Sequence, residues 1–442
     1  MKYVIIGGDA AGMSAAMEIY RHDSEASIIS LEKGHHFSYG QCGLPYVIDG
    51  RVESTEDVIS RTPEIFREKY KIDARSLHTV TDVDPKRQIV SGVTTDTREP
   101  FSVQYDRLLI ATGADSLKLK MPGRDLKGIR SLKNIPDTED IIGEVKNVEQ
   151  VTIIGGGYIG LELAEVLTSI GKKVRIIIRS GQVAGFLDLE MAKLVHEEAY
   201  KNGVEIVFHE ELIRYEGDDW VTGVRTSKDL YPTDFVIEAI GIRPNTAFLK
   251  DTGIQLAKNG AIRVDPHLQT TVKDVYAAGD CAMHFNRMKQ QADYIPLGTT
   301  ANKQGRIAGL NMVGIPETFA GVVGTSILKF FTRTIGKTGL NEKEIEKLRF
   351  EYEVAIQEVG NIASYYPNLE TMTVKLIWKK DSKRLLGLQI VGGEGVDKRI
   401  DVGAVALFNQ MRLRELLDLD LSYSPPYNSV WDPLQKIAKR QL

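Results

Sequence analysis

The 442-residue chain has two cysteines, Cys42 and Cys281, 239 positions apart. So few exclude a disulfide framework, and without a C-x-x-C pair neither a zinc ribbon nor a local dithiol can form from sequence neighbours. No metal site is expected, and the scarcity fits a reducing, cytoplasmic location. Histidine runs out early: the eight end at His284, so the last 158 residues hold no imidazole. No stretch approaches the roughly 18 apolar residues of a membrane span. The opening Met1–Gly8 reads as a strand entering a glycine turn, not as a secretion signal. Lys plus Arg number 56 against 60 Asp plus Glu, a net charge of −4 that leaves no basic excess for general nucleic-acid binding. A hydrophobic share of 42% with 26% charged residues describes a globular chain long enough for two or three domains.

Among the 40 glycines, placement carries the information. The strand Tyr3–Ile6 runs into Gly7-Gly8-Asp9-Ala10-Ala11-Gly12 and a helical stretch from Met13 to Tyr20. A second strand, Ala26–Leu31, ends at Glu32, 20 residues after Gly12. This is a βαβ dinucleotide pattern: glycines let backbone approach a pyrophosphate at a helix N-terminus, and the acid accepts from a ribose hydroxyl. Asp9 replaces the middle glycine. The unit repeats at Val151–Ile154, followed by Gly155-Gly156-Gly157-Tyr158-Ile159-Gly160, a full G-x-G-x-x-G, and the strand Val174–Ile178. No acid occurs between Gly171 and Leu187, and Arg179 stands where an NAD site places its carboxylate. Arginine pairs with a 2′-phosphate that an acid would repel, which tilts the second unit toward NADPH over NADH.

Two more strands end in short signatures, Tyr105 to Ala111-Thr112-Gly113 and Thr271 to Gly279-Asp280. In this order the four motifs resemble the two-dinucleotide flavoprotein disulfide reductase family over most of the chain. The resemblance implies an α/β fold with two Rossmann-like dinucleotide-binding domains and an α+β C-terminal dimerisation domain. FAD would lie on Gly7, Gly8, Ala10, Ala11, Gly12, Glu32, Thr112, Gly113, Gly279 and Asp280. NADPH or NADH would lie on Gly155, Gly157, Tyr158, Ile159, Gly160, Arg179 and Gly241. The FAD domain would comprise residues 1–115 and 246–325, with the nicotinamide domain, 116–245, inserted between Met121-Pro122-Gly123 and Gly241-Ile242-Arg243-Pro244-Asn245; the dimerisation domain would be 326–442.

The segment Phe37–Tyr46 contains Cys42, with Gly43 as a turn and Pro45 suited to a helix start. A cysteine at a helix N-terminus is expected to have a lowered pKa and to act as a nucleophile. A dithiol mechanism needs a second nearby cysteine and a C-terminal histidine, and both are missing. The chemistry must then use one protein sulfur and an external partner. Ser38-Tyr39-x-x-Cys42-Gly43-Leu44-Pro45-Tyr46 resembles the single-cysteine branch of the family, which holds coenzyme A disulfide reductases, NADH oxidases and NADH peroxidases. The oxidases and peroxidases carry a histidine in the first glycine loop; Ala10 stands there, a point of resemblance to the coenzyme A disulfide reductases. Cys281 reads as packing beside the flavin.

That resemblance extends to two tyrosine segments, Ser364–Pro367 and Leu421–Tyr427. It implies that Tyr365 and Tyr423 reach across a homodimer to the partner's cysteine and assist a departing thiolate, with Tyr366 and Tyr427 as the neighbouring candidates. It also implies a coenzyme A site at Ser14, Glu18, Arg21, Ser38, Gln41 and Asn302, to which Lys69 and Lys71 could add charge and Trp431 a stacking surface. The expected activity is reduction of coenzyme A disulfide by NAD(P)H through a Cys42 mixed disulfide. NADH oxidase, NADH peroxidase and persulfide or polysulfide reductase are the enzymatic alternatives, and a flavoprotein redox sensor the non-catalytic one.

Overall fold

The computed structural model describes all 442 residues. The N-terminal apolar run Lys2–Ile6 is buried on both faces and pairs in parallel with Ser27–Leu31 and Arg107–Ile110. Strands covered on both sides read as continuous Val/Ile/Leu, as here. Val275–Ala277 and Ile72–Arg75 complete a five-stranded sheet. The first helix is longer than expected, Ala10–His22, because the glycine turn feeds directly into its first turn. It packs on Gly298–Met312 at close range. Small residues permit this: an added Cβ at Gly305 would collide with the carbonyl of Ala11, and one at Gly309 would meet that of Ala15 at 2.6 Å.

A second five-stranded parallel sheet is built around Gln150–Ile154, flanked by Lys173–Ile177 and Phe235–Glu238. Its helix Tyr158–Ser169 follows the second glycine turn. The chain passes from the first sheet to the second beyond Ala114–Ser116 and returns at Ile242–Pro244, and these two strands pair antiparallel. C-terminal to both lies an antiparallel sheet, ordered Ser326–Phe330, Arg333–Gly339, Leu385–Gly392, Thr371–Lys379, Tyr352–Gly360. Helix Val396–Phe408 covers one face. The architecture is α/β, with two dinucleotide-type units and an α+β C-terminal domain.

A buried ion cluster joins the second unit to the C-terminal sheet. The ammonium of Lys375 is fully buried and pairs with Asp188 at 2.8 Å and with Glu190 and Glu342. These three carboxylates already surround a cation, so they are not free to take a metal. Losing one partner of a buried pair typically costs about 3–5 kcal/mol. No helix is long and apolar enough to cross a membrane.

Candidate active site

The two glycine turns are built alike. Gly7 and Gly155 have φ of 114° and 108°, a region that disfavours side chains. An added Cβ would strike the carbonyl of Ala111 in one and of Ala239 in the other. Gly12 and Gly160 press against the carbonyls of Gly7 and Gly155, which brings each helix onto its strand. At Gly157 nothing lies within 4 Å of an added Cβ, so glycine there keeps the helix N-terminus clear for a pyrophosphate. Its counterpart Asp9 keeps its turn clear differently. The Asp9 carboxylate points at the cysteine segment, accepting from the Tyr39 amide at 3.2 Å and from Gln41 Nε2 at 2.8 Å. Glu32 is held by the amides of Gly8 (2.9 Å) and Gly34 (2.8 Å), at the end of its strand. Gly113, at φ 64°, also faces open space, and Thr112 is tied to Asn245 by a 2.7 Å bond across the domain passage. Ala10 and Ala11 open the first helix. Gly279 donates to Gln304 at 2.9 Å, and Asp280 follows it, half-buried. These residues fit the two dinucleotides expected from the motifs.

Cys42 lies in a short turn, Gln41–Gly43, ahead of the five-residue helix Leu44–Ile48. It is exposed, whereas Cys281 is sealed and bonds the carbonyls of Ile110 and Ala278. The expected lowering of the Cys42 pKa is not found. The surrounding protein desolvates the thiolate and Glu162 repels it, pushing the thiol up, while Lys133 pulls the other way. A helix of barely more than one turn aligns too few peptide dipoles to outweigh these effects.

Lys133 and Glu162 carry no motif signal that assigned them a role. Glu162 sits in the helix after the second glycine turn, where burial and Glu165 push its carboxyl up to about 7. Lys133 precedes helix Ile135–Val145 and lies 3.7 Å from the Asp280 carboxylate. Tyr158 opens the helix of the second unit, stacked on Phe186 with ring centroids 4.1 Å apart and bonded to Ser326; Ile159 follows it, half-buried. Gly241 is exposed at the return passage. Arg179 is 80% exposed, and the fold brings Glu211 to 3.9 Å from it. An acid absent from the local sequence thus approaches Arg179 from the residue that precedes strand Leu212–Gly217.

A cavity of about 380 Å³ is lined by Ser14, Glu18, Arg21, Ser38 and Asn302, together with Arg61, Lys303 and Arg306. Ser14 bonds Asn302 at 2.9 Å, and Arg21 pairs with Glu18 at 2.6 Å. The last three cations were not singled out from the sequence, since only the fold brings them beside the first helix. Other candidates lie outside this lining. Gln41 is engaged by Asp9. Lys69 sits over the Tyr70 ring, and Lys71 caps the end of helix Pro63–Tyr70 in a left-handed conformation. Trp431 is exposed with Lys439 over its ring at 4.6 Å. The Tyr365 and Tyr423 hydroxyls meet at 3.0 Å on the exposed C-terminal surface.

The family model for pyridine nucleotide-disulphide oxidoreductases matches residues 1–305, and that for the family's dimerisation domain matches 325–434. The chain is 34% identical to an NADH oxidase of Methanocaldococcus jannaschii, covering 100% of this chain and 99% of that protein. It is 36% identical to a CoA-dependent NAD(P)H sulfur oxidoreductase of Pyrococcus abyssi (99% and 97%) and 31% identical to a coenzyme A disulfide reductase of Staphylococcus aureus (99% and 99%). The crystal structure of reduced Bacillus anthracis CoADR-RHD superposes with a TM-score of 0.97 at 34% identity, over 99% of this chain and 79% of that one.

Proposed function

The chain belongs to the pyridine nucleotide-disulphide oxidoreductases, and from that premise we propose that it is a homodimer that reduces coenzyme A disulfide with NAD(P)H through Cys42. One observation carries this reading: Cys42 is the single accessible thiol, in a segment tied by Asp9 to the loop that lines a cation-rich cavity. Ala10 and Ser38 line that cavity from the two tied segments. Arg21, Arg61, Lys303 and Arg306 suit the phosphates of coenzyme A, and Ser14 and Asn302 supply neutral contacts.

Bound FAD supplies the relay of an electron pair from NAD(P)H to sulfur. Gly7, Gly12, Glu32, Thr112, Gly113, Gly279 and Asp280 would hold it; Gly155, Gly157, Gly160 and Arg179 would hold the nicotinamide dinucleotide. The Cys42 thiolate attacks one sulfur of the substrate, the S–S bond breaks, and one coenzyme A departs as thiolate while Cys42 forms a mixed disulfide. Two electrons and a proton then release the second thiol and restore the Cys42 thiolate. Overall one NAD(P)H and one proton are consumed for two thiols. Tyr365 and Tyr423 of the second copy hydrogen-bond or protonate the departing thiolate, the task a histidine would otherwise take. Lys133 favours the Cys42 thiolate and Glu162 opposes it.

Mass spectrometry of the purified protein before and after a thiol reductant tests this directly. The expected result is a releasable adduct of coenzyme A mass on Cys42; an unmodified thiol that coenzyme A disulfide cannot modify overturns it. The similarity to the Pyrococcus abyssi sulfur oxidoreductase, and to an NAD(P)H coenzyme A polysulfide/persulfide reductase of Pyrococcus horikoshii, favours one second reading, coenzyme A-dependent reduction of polysulfide. Turnover assays with coenzyme A disulfide, polysulfide, hydrogen peroxide and oxygen separate these activities, and a redox sensor would give no sustained turnover with any of them.

A further inference from the structure

Both tyrosine segments are irregular, and both converge on one buried arginine. Arg399, on helix Val396–Phe408, is 1% exposed. Its guanidinium donates to Asp432 Oδ2 at 3.0 Å, to the carbonyls of Gly395 (2.9 Å) and Asn361 (2.8 Å), and to Asn428 Oδ1 at 3.0 Å. Asn428 in turn donates to Asp432 Oδ2 at 2.9 Å and to the carbonyl of Ser422 at 3.2 Å. Asn361 lies four residues before Tyr365, while Ser422 and Asn428 bracket Tyr423. Beyond this hub the two loops touch through the Ala363 amide on the Pro425 carbonyl (3.2 Å) and through the two phenols.

We propose that Arg399 is a positioning residue that sets Tyr365 and Tyr423 as a preassembled phenol pair. This rests on the reading that these tyrosines serve the disulfide step. The planar guanidinium is suited to the task because its fork bonds both loops at once while Asp432 neutralises it. Lysine at this position keeps the charge pair with Asp432 but cannot reproduce the fork. The phenols would then sample several separations, and a misplacement of about 1 Å can cost on the order of 100-fold in rate.

The test uses FAD-loaded Arg399→Lys, Tyr423→Phe and the double variant, with flavin reduction by NADPH and reoxidation by coenzyme A disulfide followed separately. Arg399→Lys should leave flavin reduction unchanged and slow reoxidation by roughly 10-fold or more. In the double variant reoxidation should be no more than about twofold slower than in Tyr423→Phe alone, because residues acting as a unit are non-additive. Reoxidation at the wild-type rate in Arg399→Lys, with Tyr423→Phe slow, overturns the positioning role and leaves the tyrosine reading standing. Fully multiplicative losses overturn it too, since Arg399 would then act by another route. If Tyr423→Phe alone is unimpaired, the tyrosine reading falls and this role with it. Asn428→Ala breaks the hub at the Tyr423 loop while keeping the Arg399–Asp432 pair; it should give the same half-reaction split, and a wild-type split there counts against the proposal even if Arg399→Lys fails to fold.

Discussion

Lys133 Nζ lies 3.7 Å from the carboxylate of Asp280, so a cation from the approach to the second unit meets the acid of the Gly279-Asp280 signature. Both act on Cys42 through space, Lys133 lowering its pKa and Asp280 raising it, while Glu162 is the larger source of repulsion. Glu162, pushed up to about 7, is already ionised at the higher pH where the thiol titrates. Glu162→Gln should move the pH midpoint of Cys42 alkylation by iodoacetamide downward, and Lys133→Met should move it upward. Identical midpoints in both variants and the parent would contradict this electrostatic account.

Cys42→Ser should retain bound FAD, read from its visible absorbance, and lose coenzyme A disulfide reduction by on the order of 1,000-fold or more. Undiminished turnover would remove Cys42 as the nucleophile.

Tyr423→Phe keeps the ring and removes the proton. Reoxidation by coenzyme A disulfide should slow by about 100-fold, within the usual range for a lost general acid. Stopped-flow reduction by NADPH should not change, and an equal loss in both half-reactions would argue for a general structural effect instead.

Arg179 is largely exposed and only loosely paired with Glu211 at 3.9 Å, so it is available to a 2′-phosphate. Arg179→Ala should raise KM for NADPH roughly 10-fold, the size of one charge-assisted hydrogen bond, with little change for NADH. Glu211→Gln should act in the opposite sense by removing a repelling charge. An unchanged NADPH-to-NADH preference in Arg179→Ala would refute the assignment.

Burial pushes Asp9 up to about 6 from 3.8, against the hydrogen bonds from Gln41 and Tyr39 that favour its ionised form. A carboxyl raised in the folded state binds its proton more tightly there than when unfolded. Its ionisation therefore costs stability, progressively between about pH 4 and 6 and fully above that. Asp9→Asn removes this cost, so its thermal midpoint relative to wild type should rise across that window, by at most about 3 kcal/mol in stability. Parallel pH profiles would show that Asp9 does not titrate in this range.

What the sequence by itself determined was local. A strand, a glycine that must take positive φ, and a helix N-terminus are near neighbours in the chain, so both dinucleotide turns and the accessible-cysteine segment were legible in it. Counting alone excluded a second resolving thiol near Cys42 and a C-terminal histidine. The tertiary structure decided everything set by approach through space. It packed protein around Cys42 and set Glu162 near it, which together outweigh Lys133 and reverse the expected direction of its pKa, because desolvation and Coulomb forces depend on distance and not on chain position. It brought Glu211 to Arg179, and Arg61, Lys303 and Arg306 to the cavity beside the first helix. It also gave Asn428 a place in the buried Arg399 hub. That hub joins residues 361, 399, 428 and 432, and no local pattern encodes it, since only the folded backbone sets where one guanidinium meets all of them.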